Sequence, residues 1–496
     1  MRKPSTGIEF CFDHSYGRQL PDFCVSCDPA VFPDPQLLRF NSVLAEELGL
    51  DAEFDSSLVA RIFSGNELPV DAHPIAQAYA GHQFGNFVPQ LGDGRALLLG
   101  EVIDRNGQRR DIAFKGSGPT LFARGGDGKA AVGPVLREYL IGEAMHALGI
   151  PTTRALAAVA TGETVYRTTP LPGAVLTRVA ASHIRVGTFE FFAARRQFDQ
   201  VRKLADYVIQ RHYPELAEEE DRYLSLINSV ADRQAALLAR WMLVGFIHGV
   251  MNTDNMAISG ETIDYGPCAF MESYDPATVF SSIDHGGRYA YGNQPIIARW
   301  NLARFAETLL PVIDPDSPER VVGQAMEIIN DFIPRYEAHW LRGMRAKLGL
   351  PEKSDDDNED RILVEQWLDL LQHHEVDFTL AWRRLTDAAE GNHGLLESLF
   401  ASPDVLQPWL ERWHQRITQP GKKTAEAMRT VNPIYIPRNH LVEEALEAAS
   451  DQGDLSSFEK LLGVIEHPFN ERPDHEHYST PAPRQFTSCY KTFCGT

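Results

Sequence analysis

One segment, residues 248–266, concentrates the polar residues that most constrain what this chain can fold into. A long apolar stretch with helical periodicity, 226–246, leads directly into it. Within the segment, Asp254 and Asn255 are adjacent, and Asp264 follows in the sequence Ile-Asp-Tyr-Gly. Carboxylate and amide oxygens suit Mg²⁺, which usually binds one or two carboxylates together with substrate phosphates. The segment therefore predicts a helix that ends at a metal and phosphate site; ordinary turn residues are the alternative.

The spacing within this segment is that of a protein-kinase catalytic loop. His248 precedes Asn255 by seven positions, as in H-R-D-x-x-x-x-N, and Ile-Asp264-Tyr-Gly is close to the kinase D-F-G. The kinase base would fall at position 250, which is Val, and a carboxylate stands instead at Asp254. We therefore predict that Asn255 and Asp264 bind a metal, and that Asp254 accepts a hydroxyl proton or orients the attacking group.

A glycine-rich run lies well before this segment. Gly92-Asp-Gly94-Arg95 leads into two strand-like runs, 96–102 and 111–115, which are joined by an Asn-Gly turn typical of a β-hairpin. Glycine lets backbone N–H groups approach phosphates closely, and Arg95 adds a permanent positive charge. A turn that merely connects two strands would have the same composition.

Four charged residues follow in the order expected for a nucleotide site. Lys115 ends the strand Ile-Ala-Phe-Lys, which resembles the kinase strand V-A-I-K that supplies a phosphate-binding lysine. The next predicted helix carries Glu138, which is placed to pair with Lys115. Arg178, within the predicted strand 174–179, and Arg185 flank Ser182-His-Ile, and guanidinium groups bind phosphate oxygens bidentately. Each residue alone could be a surface charge, but their order favours phosphate binding.

The order of elements predicts an α+β fold in which strands precede helices. A helix is also predicted over 35–48, and a solvated acidic linker over 354–360. Helical periodicity dominates the second part of the chain, with helices predicted at 199–212, 221–248, 299–310, 318–348, 361–372, 378–389, 405–417 and 440–449.

Composition and charge exclude several classes of partner. The formal net charge of −21 over 496 residues argues against nucleic acid or an anionic membrane. No apolar run is long enough to cross a bilayer, and residues 1–7 lack the apolar core of a signal peptide, so we expect a cytoplasmic protein. The six cysteines are too few for a disulfide scaffold.

Short runs distributed in a consistent order along nearly the whole chain resemble the selenoprotein O family. They are Tyr79-AGHQFG, Gln90-LGDGRA, Phe114-KGSG, Arg124-GGDG, Leu136-REYL, Pro151-TTRAL, Gly173-AVLTRVA, Ser182-HIR, His248-GVMNTDN, Thr262-IDYGP, Asn432-PIYIPRNHL and Tyr490-KTFCGT. The chain departs from the family's pattern at residues 120–123, where Thr-Leu-Phe-Ala replaces Thr-Pro-Tyr-Ser.

The resemblance implies a bilobal, protein-kinase-like fold with a β-rich N-terminal lobe and a helical C-terminal lobe. It implies a protein adenylyltransferase, which binds ATP in an orientation flipped relative to kinases and transfers AMP to Ser, Thr or Tyr hydroxyls of proteins. The expected regions are an N-terminal extension (1–75), the first lobe (76–180), the second lobe (181–350) and a helical C-terminal extension (351–496).

The resemblance also assigns roles residue by residue. Asp254 becomes the base, and Asn255 and Asp264 become ligands of Mg²⁺, with Mn²⁺ as the alternative metal. Glu138 holds Lys115 in place. The residues expected to contact ATP are Gly92, Gly94, Arg95, Lys115, Asp127, Gly128, Arg178, Arg185 and Asp264.

Two cysteines suggest redox control. Cys268 follows Gly266 in what would be the activation segment, and Cys494 stands third from the end, where some relatives carry selenocysteine. A reversible disulfide between them would tie the C-terminal tail over that segment. Two unpaired thiols are the alternative.

Two rival functions remain open. A conventional phosphotransferase would also use the His-led loop, but it usually carries Asp where this chain has Val250. A non-catalytic nucleotide-binding regulator would have no chemical need for Lys115, Glu138, Asn255 and Asp264 together.

Overall fold

The computed structural model describes residues 8–50, 55–314, 316–352, 356–417 and 420–493. An antiparallel sheet is built from strands between residues 24 and 180, and helices make up most of the remainder. This confirms the predicted α+β order, with the sheet first and the helical part second. No helix among the described residues has both the length and the apolar character needed to cross a membrane.

The main sheet has the strand order β1-β3-β6-β7-β10-β9-β2, and β8 pairs with β10. Two short antiparallel pairs, β4 with β5 and β11 with β12, lie outside it. The strands are β1 (Cys24–Ser26), β2 (Gln36–Phe40), β3 (Ile75–Gln77), β4 (Gly81–Gln83), β5 (Asn86–Val88), β6 (Ala96–Ile103), β7 (Arg109–Lys115), β8 (Ala130–Ala131), β9 (Arg154–Tyr166), β10 (Pro170–Ala180), β11 (Phe246–Ile247) and β12 (Ala269–Phe270).

The predicted β6–β7 hairpin is present, and it fixes the place of Lys115. Asp104 accepts hydrogen bonds from the backbone N–H groups of Asn106 and Gln108 at 2.9 and 2.8 Å, which closes the turn. The register then sets Lys115 opposite Ala96, the residue after the predicted glycine-rich run. The end of a central strand therefore brings the lysine beside that run.

The helical part contains most of the predicted helices. The helices of the chain are α1 (Ser15–Gln19), α2 (Ser42–Glu47), α3 (Ser56–Phe63), α4 (Val132–Ala147), α5 (Val186–Ala193), α6 (Phe198–His212), α7 (Arg222–Val244), α8 (Gln294–Ile313), α9 (Pro318–Asn330), α10 (Phe332–Leu348), α11 (Asp357–His373), α12 (Phe378–Ala388), α13 (Gly394–Glu397), α14 (Gln407–Arg416), α15 (Lys422–Arg429), α16 (Asn439–Glu447), α17 (Ser456–Ile465), α18 (Glu476–Ser479) and α19 (Arg484–Thr487).

The helix predicted over 35–48 is wrong in its first half. Gln36–Phe40 is the edge strand β2, which pairs with β9, and the helix α2 begins only after Asn41 caps it through Leu44 N at 3.0 Å. The apolar residues of this stretch fit the period of a helix and that of a strand. Pairing with the edge of β9 therefore makes residues 36–40 a strand.

Two other predicted boundaries also differ. The helix predicted over 221–248 ends at Val244, because Gly245 adopts a left-handed φ of 73° and stops α7. The helix predicted over 318–348 is interrupted at Asp331, which separates α9 from α10.

The acidic run begins a helix over its described part and is not a linker, although residues 356–359 are exposed as predicted. Asp356 caps α11 by accepting from two backbone N–H groups at 3.0 Å. Asp360 is fully buried and accepts a hydrogen bond from Arg345 at 2.8 Å, with Arg416 on its other oxygen. Burial of this aspartate is stable because both carboxylate oxygens meet guanidinium groups.

The helices after residue 351 are joined to the rest of the chain by a buried ion cluster. Arg438 has no exposed surface and pairs with Glu272 at 2.5 Å and with Asp377 at 2.6 Å. Because Glu272 lies just after β12 and Asp377 precedes α12, one guanidinium connects three distant parts of the chain. Removing one partner of such a buried cluster typically costs about 3–5 kcal/mol.

A buried lysine in this helical part provides a test of its packing. Lys347 is 2% exposed, lies 4.9 Å from the ring centroid of Trp382, and has no carboxylate partner within ion-pair distance among the described residues. Burial lowers its pKa to about 7. The unfolded chain therefore binds more protons than the folded one above that pH, and the free energy of unfolding rises with pH until the ordinary lysine pKa is reached.

We expect Lys347→Met to remove this contribution. Between pH 7 and 10 the stability of the unsubstituted protein should rise relative to the variant by up to about 1.4 kcal/mol per pH unit. Denaturant unfolding across this pH range measures the difference, with exposed Lys203→Met as the control. Parallel stability curves for the unsubstituted protein and the Lys347→Met variant would show that Lys347 is not desolvated in the folded state.

Candidate active site

A cleft of about 760 Å³ opens between the sheet and the 248–266 segment. Its volume lies in the range usual for small-molecule sites. The cleft is lined by every residue for which the sequence predicts a catalytic, nucleotide-binding, metal-binding or supporting role: Gly92, Gly94, Arg95, Lys115, Asp127, Gly128, Glu138, Arg178, Arg185, Asp254, Asn255 and Asp264. The fold therefore brings these residues together, while their individual roles stay predictions.

Asp264 lies at the centre of a buried cluster of cations. Its Oδ1 accepts hydrogen bonds from Lys115 at 3.1 Å and from Arg178 at 2.7 Å. Its Oδ2 accepts from Arg185 at 2.7 Å. Burial alone would raise the pKa of Asp264, but the charges of Arg185, Lys115 and Arg178 hold this pKa well below its usual range. The carboxylate is thus ionised, and each of its two oxygens accepts at least one hydrogen bond.

The backbone at Asp264 is also unusual. Its φ is 63°, in the left-handed region that non-glycine residues seldom adopt. Such conformations persist where surrounding contacts enforce them and cluster at functional sites. Here the enforcing contacts are the three ion pairs.

The predicted lysine–glutamate pair is present. The Nζ of Lys115 donates to Oε2 of Glu138 at 2.5 Å, and Arg178 donates to Oε1 of the same carboxylate at 3.2 Å. Glu138 is buried in α4, which packs on the sheet through apolar contacts of Leu136 and Leu140. The packing of α4 on the sheet therefore fixes the position of Glu138 and, through it, that of the Lys115 ammonium group.

Asp254 and Asn255 lie in a short 3-10 turn, Thr253–Asn255, in the wall of the cleft that the 248–266 segment forms. Gln83 donates to Oδ2 of Asp254 at 3.4 Å, and Oδ1 of Asp254 is buried without a hydrogen-bond partner in the described part of the chain. Burial raises the pKa of Asp254 to about 6. A carboxyl group with such a pKa suits general base catalysis near neutral pH.

The oxygen ligands available for a metal fit Mg²⁺ or Mn²⁺. Asn255 donates its Nδ2 hydrogen to the carbonyl of Val250 at 2.9 Å, which leaves its amide oxygen as an acceptor at the cleft. Asp264 adds carboxylate oxygens. Within the described ranges, no three His, Cys, Asp or Glu side chains form a metal-binding group. A two-residue oxygen set is consistent with a metal whose shell is completed by phosphates and water.

The glycine-rich run, residues 92–95, needs glycine for close packing as well as for access of phosphates to its backbone. A side chain at Gly92 would collide with the ring of Phe122, and one at Gly94 would meet the carbonyl oxygen of Phe122 at 2.8 Å. Phe122 lies in residues 120–123, the stretch in which the sequence departs from its relatives' pattern. The glycines therefore also let two loops stack at the cleft mouth.

The rim of the cleft carries both signs of charge. Asp127 pairs with Arg167 through two hydrogen bonds of 2.8 and 3.1 Å. By contrast, the side chains of Arg95 and Arg124 make no hydrogen bond or ion pair to any described residue, and both line the cleft. Two uncompensated guanidinium groups in a protein of net charge −21 provide a binding surface for anions such as phosphates.

Comparison with known proteins decides the family. Residues 8–466 match the family model described as protein adenylyltransferase SelO. The chain is 61% identical over 481 residues to a protein nucleotidyltransferase YdiU of Chromobacterium violaceum, covering 96% of this chain and 100% of the relative. It is 60% identical over 490 residues to a relative of the same description from Cereibacter sphaeroides, covering 99% of this chain and 100% of that protein. The chain belongs to the protein adenylyltransferase SelO family.

Membership of the SelO family confirms the predicted family and the predicted enzyme class, a nucleotidyltransferase that acts on proteins. It does not test which residue has which role. The predicted Cys268–Cys494 disulfide also stays a prediction, because Cys494 lies outside the described residues. Its partner Cys268 is buried.

Sequence reasoning missed a polar relay behind Arg178. The Nε–H of Arg178 donates to Nε2 of His183 at 3.1 Å, and Nδ1 of His183 bonds Asp111 at 2.9 Å. Burial lowers the pKa of His183 to about 4, so the ring is neutral near pH 7 and can accept from Arg178. The run Ser182-His-Ile contained this histidine, but nothing in the sequence pointed to its partner in β7.

Variants of His183 test this relay. His183→Leu would leave the Nε–H of Arg178 buried without an acceptor, which typically costs about 1–3 kcal/mol. We expect Tm to fall, and ATP binding to weaken by up to about tenfold because Arg178 loses the contact that orients it. His183→Gln keeps one acceptor and one donor and should recover most of the affinity. Calorimetric Kd values for ATP, measured beside Tm, decide the question; equal losses in both variants would argue against the relay.

Gly128 and Gly125 form a matched pair for testing the loop packing. Both have left-handed φ values, 65° and 83°, but a Cβ at Gly128 would collide with the backbone of Gly118, whereas one at Gly125 meets nothing within 4 Å. We expect Gly128→Ala to weaken ATP binding by about tenfold or more through collision plus backbone strain, and Gly125→Ala to show only the smaller strain effect. Equal Kd values for the two variants would contradict this packing.

Proposed function

We propose that this chain transfers AMP from ATP to hydroxyl side chains of proteins in the cleft described above. The observation that carries the proposal is the excess of positive charge in the cleft, which is lined by eight lysines or arginines and five aspartates or glutamates. Arg178 and Arg185 lie deep in the cleft, 2% and 3% exposed, and Lys115 meets them at Asp264. The mouth holds the Asp127 carboxylate and Tyr166, which is 74% exposed.

The buried cations support a nucleotide with its phosphates inside the cleft and its nucleoside at the mouth. Phosphates bind guanidinium and ammonium groups, and a carboxylate such as Asp127 repels them but accepts hydrogen bonds from ribose hydroxyls. The orientation is flipped relative to a kinase, in which the γ-phosphoryl is presented to the acceptor. The flipped orientation agrees with Val250 at the position of the kinase base, because a base at that position serves transfer of the γ-phosphoryl group.

Each residue then has a defined task. Asn255 and Asp264 hold Mg²⁺ or Mn²⁺, which when bound neutralises phosphate charge. Lys115, held by Glu138, contacts the phosphates together with Arg95, Arg178 and Arg185. Gly92, Gly94, Asp127 and Gly128 complete the ATP site.

Asp254 accepts the proton of the attacking hydroxyl. The hydroxyl oxygen forms a bond to the α-phosphorus, the bond from that phosphorus to the bridging oxygen breaks, and pyrophosphate leaves with its electron pair. Positioned charges account for most of the rate in phosphoryl-transfer enzymes of this kind.

The proposed architecture is a bilobal, kinase-like fold. Residues 76–180 form a β-rich lobe with α4, residues 181–350 form a helical lobe, and the cleft lies between them. Residues 351–496 form a helical extension attached through Arg438. The N-terminal extension, 1–75, contributes β1 and β2 to the main sheet, so these strands are part of the β-rich lobe.

The proposed redox pair, Cys268 and Cys494, finds support in the tail that precedes Cys494. Thr492 donates its hydroxyl to the carbonyl of Pro267 at 2.8 Å and exchanges backbone contacts with residues 280–282. The tail thus reaches the residue next to Cys268. Six reactive thiols under non-reducing conditions would rule the disulfide out.

ATP labelled at either the α or the γ phosphate tests the reaction. We expect protein in a cell extract to retain label from α-labelled ATP only, with Mg²⁺ or Mn²⁺ present. Asp264→Ala should abolish labelling, and Asp254→Asn should reduce it about 100-fold or more, the usual contribution of a general base. Exposed Asp199→Asn is the control.

Either of two results would contradict this proposal. Label from γ-labelled ATP only would mean a conventional kinase, and Asp254 would lose its assigned role. No label from either, with ATP binding demonstrated, would favour a nucleotide-binding regulator.

A further inference from the structure

The hairpin β4–β5 is fastened to the turn that carries Asp254. The backbone N–H of His82 donates to the hydroxyl of Thr253 at 2.7 Å, and that of Phe84 donates to Oδ1 of Asn252 at 3.0 Å. Phe87, which pairs with His82 across the hairpin, is 40% exposed. A ligand that contacts Phe87 therefore lies next to the turn that carries Asp254.

Arg288 lies beside this hairpin, and its neighbour Tyr289 is bonded to Asn252, the asparagine that also binds the hairpin. The hydroxyl of Tyr289 donates to Oδ1 of Asn252 at 2.7 Å. The guanidinium of Arg288 lies 3.7 Å from the position that a Cβ of Gly85 would take, and 5.0 Å from the ring centroid of Trp300. Arg288 is thus held against the hairpin and the indole ring.

The charge of Arg288 has no carboxylate partner in the described part of the chain. The nearest acidic residue along the chain, Asp284, accepts instead from the backbone N–H groups of Arg288 and Tyr289 at 2.9 and 2.7 Å. The Nε atom of Arg288 is buried and makes no hydrogen bond to a described residue. Arg304, on the same indole at 5.0 Å, is by contrast paired with Glu307.

Apolar surface surrounds this charge. Ile296, one helical turn before Trp300, is 54% exposed, and the rings of His82 and Phe87 lie 5.0 Å apart on the hairpin. Glu190, which lies beneath the hairpin, is buried and bonded to His82 and Thr253. An aromatic and aliphatic surface around one guanidinium without a carboxylate is typical of protein-binding sites.

We propose that this acceptor-side surface, formed by Phe87, Arg288, Ile296 and Trp300, binds an acidic segment of the protein substrate that flanks the hydroxyl to be modified. The inference rests on the proposed function and names a property of its substrates. Charge complementarity identifies the occupant, since the Arg288 guanidinium lacks a carboxylate partner among the described residues. A carboxylate from the substrate would supply that partner and place the adjacent hydroxyl at Asp254.

Three synthetic peptides test the proposal. Each carries one serine flanked by glutamate, glutamine or lysine residues and is incubated with α-labelled ATP and the full-length protein. We expect kcat/KM to be about three- to tenfold higher for the glutamate peptide than for the glutamine peptide, as a partly exposed ion pair would give, and lowest for the lysine peptide.

A charge series at Arg288 assigns the preference to this surface. Arg288→Gln should make the glutamate and glutamine peptides equivalent, and Arg288→Glu should favour the lysine peptide. Neither change should alter the Kd for ATP or the Tm appreciably. Arg342→Glu, at an exposed arginine of α10, is the matched control and should keep the acidic preference.

The outcomes separate the two proposals. Equal labelling of all three peptides by the unsubstituted protein, or an acidic preference that survives in Arg288→Glu, would overturn the acceptor-side surface and leave AMP transfer intact. Absence of label from any peptide and from extract proteins would overturn the proposed function and this inference with it.

Discussion

The ion pairs of Asp264 are the interaction on which the rest of the cleft depends. Lys115 comes from β7, Arg178 from β10, and Arg185 from the residue before α5, and all three meet at one carboxylate. Without Asp264, three positive charges would face one another in a buried space. Breaking a buried ion pair typically costs about 3–5 kcal/mol, so the carboxylate holds the sheet and the 248–266 segment in one arrangement.

The same cluster is suited to exchange its partners for a nucleotide. The residues that line the cleft include eight lysines or arginines and five aspartates or glutamates, so the cleft as a whole carries an excess of positive charge. Phosphates that enter as proposed would take over hydrogen bonds that the cations now give to Asp264. Its oxygens would then be available to a divalent cation, while Glu138 keeps Lys115 in place. The resting ion pairs thus hold the three cations beside the space that the phosphates would occupy.

Local patterns predicted much of this site because its residues lie at the ends of regular elements. The β6–β7 hairpin follows from Asn106-Gly107, and it alone fixes Lys115 beside the glycine-rich run. The His183–Asp111 pair could not be predicted, because 72 positions separate the two residues and only the sheet register brings them together. Tertiary context also decided the strand β2, which has apolar residues that fit a helix equally well, and the burial of Asp360, which two arginines from other helices neutralise.

The position of Asp254 depends on two neighbouring glycines, Gly81 and Gly187, which have no side chain. A Cβ at Gly81 would lie 2.5 Å from Oδ1 of Asp254, and one at Gly187 would collide with the carbonyl oxygen of Ala80. Neither glycine has a left-handed φ, so the requirement is space and not backbone conformation. The Asp254 side chain fills the space beside Gly81, and the carbonyl of Ala80 fills the space beside Gly187, so the β4–β5 hairpin, the start of α5 and the turn Thr253–Asn255 are in direct contact. The carboxylate proposed as the base is therefore positioned by close packing against these two glycines, and its unbonded oxygen faces Gly81, where a larger residue would not fit.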